Sequence, residues 1–384
     1  LMEATVTDSE IARFGLQEGD VIITKDSETP DDIGVPCVVD RTAPDLVCGY
    51  HLGLIRPNKD EIDPTFLSNQ IGHQRIARYF AHQANGLTRY GLPIGAVQDA
   101  PIWLPTLAAQ QTIGILLRKL DALIAASEAV VGKLRQVRAG LLHDLLTRGL
   151  DAEGRLRDPA THPEQFKDSP LGRIPREWEV RRLAEMCVHL GSGVTPRGGQ
   201  DVYTTEGVML IRSQNVHFDG LRLDDVAFIT ENTHLGMRRS EVYAHDVLFN
   251  ITGASIGRCC AMPVGLGVAN VNQHVCILRL ADADASSAAC LGAILASSIG
   301  QRQLDALNTV GNRQGLNFQQ LGSFLIPWPE GPEERTAIHS LLATHDRQLT
   351  AEQSTLAKLR QLKSGLMTDL LEGRVRVPED SRLP

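Results

Sequence analysis

A long-range internal repeat constrains this chain more than any other feature. Residues 133–146 are echoed by residues 358–371, with no gap and a constant offset of 225 positions. The register extends backwards: Ile113 falls on Ile338, Leu116 and Leu117 on Leu341 and Leu342, and Asp121 on Asp346. A solenoid repeats every ~20–50 residues, so this offset implies two copies of a large module. Each copy is a variable body followed by the same helix.

The repeated segment is helical. From Thr106 to about Leu146, apolar residues recur at spacings of three and four, including Ile113, Leu117, Leu120, Ile124, Val131 and Leu134. That spacing is one stripe sustained over several heptads. Pro105-Thr106 is a start signal and Arg148-Gly149 a stop signal. About forty residues at 1.5 Å each predict a rod of roughly 60 Å. The second copy, near Pro332 to Leu371, keeps Ile338, Leu342, Leu349, Leu356 and Leu359, with a more polar middle at His345, Gln348 and Glu352. Both stripes are narrow, as in a coiled-coil seam. The expectation is an antiparallel pair that holds the two bodies at opposite ends. The competing reading is a plain coiled-coil scaffold.

The predicted organisation is a first body over 1–105, a central helix over 106–149, a linker over 150–173, a second body over 174–329, a terminal helix over 330–372 and a tail over 373–384. In the second body, Val208–Ile211, Val226–Ile229, Asp246–Phe249 and His274–Leu278 read as strands between glycine-rich turns, and Ala288–Leu307 as one helix. The fold class is therefore α/β in the α+β sense: two mixed α/β bodies joined by two long helices. Gly19 to Ile23 matches His245 to Phe249, and Phe66 to Ala84 matches the helical stretch near Ala288. About fifty residues at the front of the second body find no counterpart in the first, which predicts an amino-terminally shortened first module.

Net charge is −8 and no segment forms a basic stripe, although the central helix on its own is positive. If nucleic acid is the ligand, another subunit must supply much of the phosphate attraction. The seven cysteines lack C-x-x-C spacing, which argues against a zinc ribbon or disulfide framework and suits a reducing cytoplasm. No run is long enough for a membrane span.

No catalytic constellation is visible. Gly132-Lys133 is followed by leucine inside a helix, so there is no phosphate-binding loop, and no metalloprotease or nucleophile-elbow motif occurs. The histidines lack metal-ligand spacing. Gly253 to Arg258 reads as a tight turn rather than a phosphate cradle. The second body does carry planar and hydrogen-bonding side chains in its turns: Thr195, Arg197, Arg212, Gln214, Asn215, Thr252, Ser255, Arg258, Asn272, Gln273, Arg313 and Gln314. The first body offers Thr24, Lys25, Ser27, Arg89 and Tyr90. Arginine pairs bidentately with guanine, and glutamine or asparagine with adenine, so this composition suits reading base edges.

These residues resemble a known family, the specificity subunits of type I restriction-modification systems. Phe166 to Trp178 looks like that family's entry into its second target-recognition domain. Ser192 to Pro196, Ile251 to Arg258 and Asn270 to Gln273 resemble its internal landmarks, and Leu316-Asn317 with Ile326-Pro327 its exit. The two helices resemble its spacer regions, with departures at Ala109, where the family has glutamate, and Arg335, where it has glutamine. The resemblance implies a non-catalytic cytoplasmic subunit reading two short DNA half-sites, with helix length setting the gap. It also implies methylation subunits that use S-adenosylmethionine and motor-nuclease subunits that use ATP and Mg. The remaining alternative is a self-contained DNA-modifying enzyme.

Overall fold

Alternating steps of three and four along the repeated segments dictate two long helices, and two long helices form. The computed structural model describes residues 5–196, 198–308 and 315–377. A central helix spans Leu107–Arg148 and a terminal helix Pro332–Leu371. Thr106 opens the first, its carbonyl accepting the Gln110 N–H at 3.0 Å. Gly149 follows its last turn at φ +63°, a left-handed conformation that glycine adopts without penalty. A side chain at that position would also collide with Arg157 and Glu334, whose atoms lie 2.4 Å from an ideal Cβ.

The chain divides into two units, Leu1–Gly132 with Ala351–Pro384, and Lys133–Thr350. In the first unit, Ile113 and Leu117 of the central helix pack with Leu370 and Leu371 of the terminal helix, around Phe66. Leu120, Val131 and Leu356 are also buried, and Ile124 and Leu359 half-buried. Cross-helix polar pairs fix the direction: Ser127 donates to Glu352, Arg360 binds Glu128 at 2.6 Å, and Lys363 binds Asp121 at 2.5 Å. From Asp121 to Ser127 the partner falls from Lys363 to Glu352, and Ile113 packs with Leu370 and Leu371, so the packing is antiparallel.

In the second unit, Leu145 packs with Ile338, Leu342, Leu150, Ile174 and Trp178, while Leu134 and Leu349 are half-buried. Arg138 reaches across to Asp346, with its second contact at 3.0 Å. The helix contact is polar at Ser127 and Glu352 in the first unit and at Arg138, Asp346 and His345 in the second. Both ring nitrogens of His345 are buried without a partner among the described residues.

The body of the first unit is a three-stranded antiparallel sheet, Pro36–Val38, Val21–Thr24 and Leu52–Ile55, with Val21–Thr24 in the middle. Val21 and Ile23 point into a core with Ile33, Leu67, Ile71, Ile76 and Phe80, while Ile22 is half-buried on the other face. That alternation is the period of a strand with one buried face. Helices Pro64–Gly72 and Gln74–Gln83 cover the core.

The second unit repeats and enlarges this plan. Strands Cys259–Ala261, Val247–Asn250, Val275–Leu280 and Cys187–Ser192 form an antiparallel sheet in that order. Val247 and Phe249 face a core with Leu291, Ile294 and Leu295 of helix Ala285–Ala296. Leu248 and Ile277 face the opposite way, onto Ile211, Val216 and Val271. Burial on both faces follows from a second sheet, Ala227–Ile229, Val208–Ile211, Ala269–Val271 and Glu241–Val242, in which Val208–Ile211 and Ala269–Val271 run parallel.

Three polar devices recur in the two units. Asp20 takes a bidentate ion pair from Arg56 at 2.9 Å, and Asp246 takes one from Arg279 at 2.7 and 2.8 Å. Each carboxylate also accepts the backbone N–H three residues upstream, from Gln17 and Tyr243. Gln110 donates to the Pro105 carbonyl and Arg335 to that of Glu330, each reaching five residues back from the start of its long helix. Finally, both covering helix pairs break at equivalent polar residues.

Those breaks correct two sequence expectations. The helix expected over 288–307 divides at Ser297, whose hydroxyl accepts the Ile299 N–H and starts a new helix. The one expected over 66–84 divides at His73, whose ring accepts the Arg75 N–H. A polar side chain able to cap backbone groups competes with helix continuation at both points. The stretch expected as an aperiodic linker also carries structure. Phe166–Ser169 and Gly172–Pro175 form a hairpin, and Phe166 and Arg157 are buried.

Candidate nucleic-acid interface

The polar turn residues of the second unit gather where the strands of its first sheet end. Gly193, just beyond strand Cys187–Ser192, brings this about. An ideal Cβ there would lie 1.6 Å from the Val271 carbonyl oxygen, so only glycine permits the approach. The Gly193 N–H binds the Asn272 carbonyl at 3.2 Å. Thr195 is thereby set beside Gln273, and its hydroxyl donates to Gln273 Oε1. Gln273 Nε2 lies 2.9 Å from His274 Nε2, and His274 Nδ1 lies 2.5 Å from the Thr252 hydroxyl. Asn272 is nearly buried and its Oδ1 accepts the His274 N–H at 3.1 Å, closing an Asx turn under the loop.

A second group lies on the loop after Val208–Ile211. Arg212 donates to the Asp225 carbonyl at 2.7 Å and sits over the Tyr203 ring. Gln214 donates to the Asp225 carboxylate at 2.5 Å. Asn215 is 2% exposed, accepts the Arg212 N–H and donates to the Arg222 and Asp225 carbonyls. Asn215 therefore builds the loop and has no edge to present, which corrects its reading as a contact residue. Asn250 ties this loop to the next, donating to the Ser213 carbonyl at 2.8 Å and to Ser255 at 3.1 Å. Gly253 to Arg258 forms the tight turn expected, with left-handed glycines at 253 and 257. The half-buried Arg258 guanidinium has no hydrogen-bond partner among the described residues. Arg197, Arg313 and Gln314 lie outside the described residues.

In the first unit, strand pairing brings two distant candidate segments together. Asp26–Ser27 pairs with Tyr90–Gly91. Lys25 stacks over the exposed Tyr50 ring at 4.6 Å, and Arg89 donates to the His51 ring at 3.0 Å. His51 Nδ1 also lies 3.1 Å from Asp26. Ser27 accepts the Thr29 N–H, so it turns the chain. Thr24 is occupied in the same way by the Asp32 carbonyl and the Val35 N–H. Cations beside exposed rings suit stacking on bases. Tyr50 and His51 escaped the sequence reading although Gly49 and Gly53 mark a turn there, because nothing local shows that this turn meets Lys25 and Arg89.

His274 was also missed: read as the first residue of a strand, it lies in the loop just before Val275–Leu280, where its ring meets Thr252 and Gln273. The ion pairs of Asp20 and Asp246 escaped for another reason: Arg56 and Arg279 follow their aspartates at different distances, so the constant offset of the helices does not find them. Burial alone would raise the Asp20 carboxyl. The hydrogen bonds from Arg56 and Gln17, with the Arg56 and Lys59 charges, outweigh it and hold the group below its ordinary value.

Among the described residues, no group of histidine, cysteine and carboxylate side chains could hold a metal ion, and no helix is long and apolar enough to cross a membrane. No protein-family model matches the chain. It is 22% identical over 97% of its length to the MjaX type I restriction enzyme specificity subunit of Methanocaldococcus jannaschii, covering 82% of that protein. It is 22% identical to the MjaVIII type I restriction enzyme specificity subunit of the same organism and 24% identical to the EcoBI specificity subunit of Escherichia coli. Each of these matches takes in 73% of the chain, and the chain spans 63% and 59% of those relatives. Its fold matches the crystal structure of the type I restriction-modification S subunit from M. genitalium, with a TM-score of 0.60 over 93% of this chain and 84% of that one, at 14% identity.

Proposed function

This chain is a homologue of the type I restriction enzyme specificity subunits, and we propose that it reads DNA sequence for a type I restriction-modification complex. The observation that carries the reading is the sequence relationship to a specificity subunit over 97% of the chain. The matching fold and the clustering of Thr195, Thr252, Gln273 and Arg258 at one end of a sheet support it. The chain contributes recognition and no catalytic step. Its partners are double-stranded DNA, methylation subunits and motor-nuclease subunits. S-adenosylmethionine, ATP and Mg belong to those partners. Exposed apolar residues on the central helix, Leu123 and Val130, spaced one heptad apart, offer the partners a surface. The overall charge of −8 is consistent with phosphate contacts made largely by other subunits. Since methylating a base within a duplex requires flipping it out, the role of this chain is to place the methylation subunit at the correct base.

The test is deletion of this chain from its host, followed by methylome sequencing. Loss of adenine methylation at one two-part motif, restored by the intact chain, is expected. A methylome identical with and without the chain overturns the proposal.

A further inference from the structure

We infer that Gln273 reads an adenine in the major groove, and that Thr195 and His274 hold its amide in reading position. The inference rests on the DNA-reading function proposed above. Gln273 is exposed at the end of a loop whose backbone is tied on every side. Gly193 binds the Asn272 carbonyl, Asn272 binds the Ile211 carbonyl, and Ile251 binds the His274 carbonyl at 3.0 Å. Below it, Leu316 binds the Ile251 carbonyl at 2.8 Å. The loop therefore presents the side chain from a fixed base, the condition for a site that discriminates.

The amide itself is held on both of its polar atoms. Thr195 donates to Oε1, and Nε2 donates to His274 Nε2 at 2.9 Å. With its Nε2 accepting, His274 carries its proton on Nδ1 and donates to the Thr252 hydroxyl at 2.5 Å. A glutamine amide has two N–H donors and two acceptor lone pairs. One of each is used inside the loop, which leaves one donor and one acceptor free on an exposed side chain. Exchanging the amide oxygen and nitrogen, with the opposite histidine tautomer, leaves the same free pair. Adenine offers the matching edge, an N6 donor beside an N7 acceptor. Guanine offers two acceptors, and cytosine and thymine offer one polar group each. Thr195 and His274 are positioning residues, because they act on the base only through Gln273.

The experiment uses the chain assembled with its methylation subunits and a DNA library in which each position of the wild-type motif is varied singly. The wild-type complex is expected to require adenine at one position of the half-site read by the second unit. Gln273→Ala and Gln273→Glu should lower the preference for adenine at that position alone by about 5- to 150-fold, the range for one bidentate contact. His274→Phe and Thr195→Val should relax the same position by a smaller factor and leave every other position unchanged. A purely structural role would instead weaken methylation evenly across all sequences. The inference is overturned if the Gln273 variants keep the wild-type preference at every position, or lose activity with no change in base preference. A wild-type complex with no sequence preference would sink the DNA-reading function itself, whereas an intact motif untouched by the Gln273 variants sinks this inference alone.

Discussion

Removing Asp246 should selectively loosen the second unit, by an amount its environment defines. Its carboxylate is 1% exposed, accepts two charged hydrogen bonds from Arg279 and also accepts the Tyr243 N–H. Asp246→Ala leaves a guanidinium without its partner and a backbone donor unsatisfied. Breaking a buried pair from one side costs about 3–5 kcal/mol. Arg279 keeps 22% of its side chain in water and stacks on the Tyr243 ring at 3.9 Å, which places the cost near the lower end, about 3 kcal/mol. That corresponds to roughly a 150-fold rise in the opening equilibrium. Hydrogen–deuterium exchange reads it directly: amides of Val247–Asn250 should lose about that factor of protection. The matching change Asp20→Ala should cost less, about 2 kcal/mol, because Arg56 is 42% exposed. It should act on Val21–Thr24 and spare the second unit. A loss of less than about fivefold at Val247–Asn250, or equal loosening of both units by either change, would refute the argument that these pairs are local, buried braces.

Further outcomes follow from other sites. Glu334 accepts from the Leu150 N–H, Trp178 Nε1 and the buried Arg157. Glu334→Ala should therefore destabilise the second unit by about 3 kcal/mol in urea unfolding, and a change below 1 kcal/mol would contradict the role given to that carboxylate. His345→Leu should raise the melting temperature, gaining about 1–2 kcal/mol by removing two unpartnered buried nitrogens from the seam; a lower value would show that the ring has partners in solution. The folded pKa of Asp20 lies below its unfolded value, so its stabilisation is complete above about pH 4 and fades as pH falls through the folded value. The stability gap between wild type and Asp20→Asn should accordingly shrink on acidification, whereas a gap that widens would invert the assignment. Cys37 is exposed and should react at once with a thiol reagent at pH 8. Burial pushes Cys260, Cys276 and Cys290 up to about 12, so they should wait for unfolding; prompt labelling of all seven cysteines would be incompatible with this core.

Much of the architecture is legible in the sequence. The long helices, their antiparallel pairing and most seam positions followed from the repeat, because a helix projects its buried face onto a fixed local period. The strands read over Val208–Ile211 and Asp246–Phe249 were legible as short apolar, β-branched runs between glycine-rich turns, and Val208–Ile211 and Val247–Asn250 form. The candidate site was legible only as composition. Asn215 and Gln273 are both amides in loops that follow a strand, yet one is sealed within its loop and the other is exposed.

What local sequence could settle was element type, duplication and the polarity of the helix pair, since these depend on neighbours within a few turns or on a constant offset. What required the folded chain was which polar side chains spend their hydrogen bonds inward. Arg279 meets Asp246, and Thr195 meets Gln273 across 78 residues, only because strand order brings those chain segments together. Hydrogen bonds reach about 3 Å and depend on direction, so no periodicity in the sequence can report which of them form.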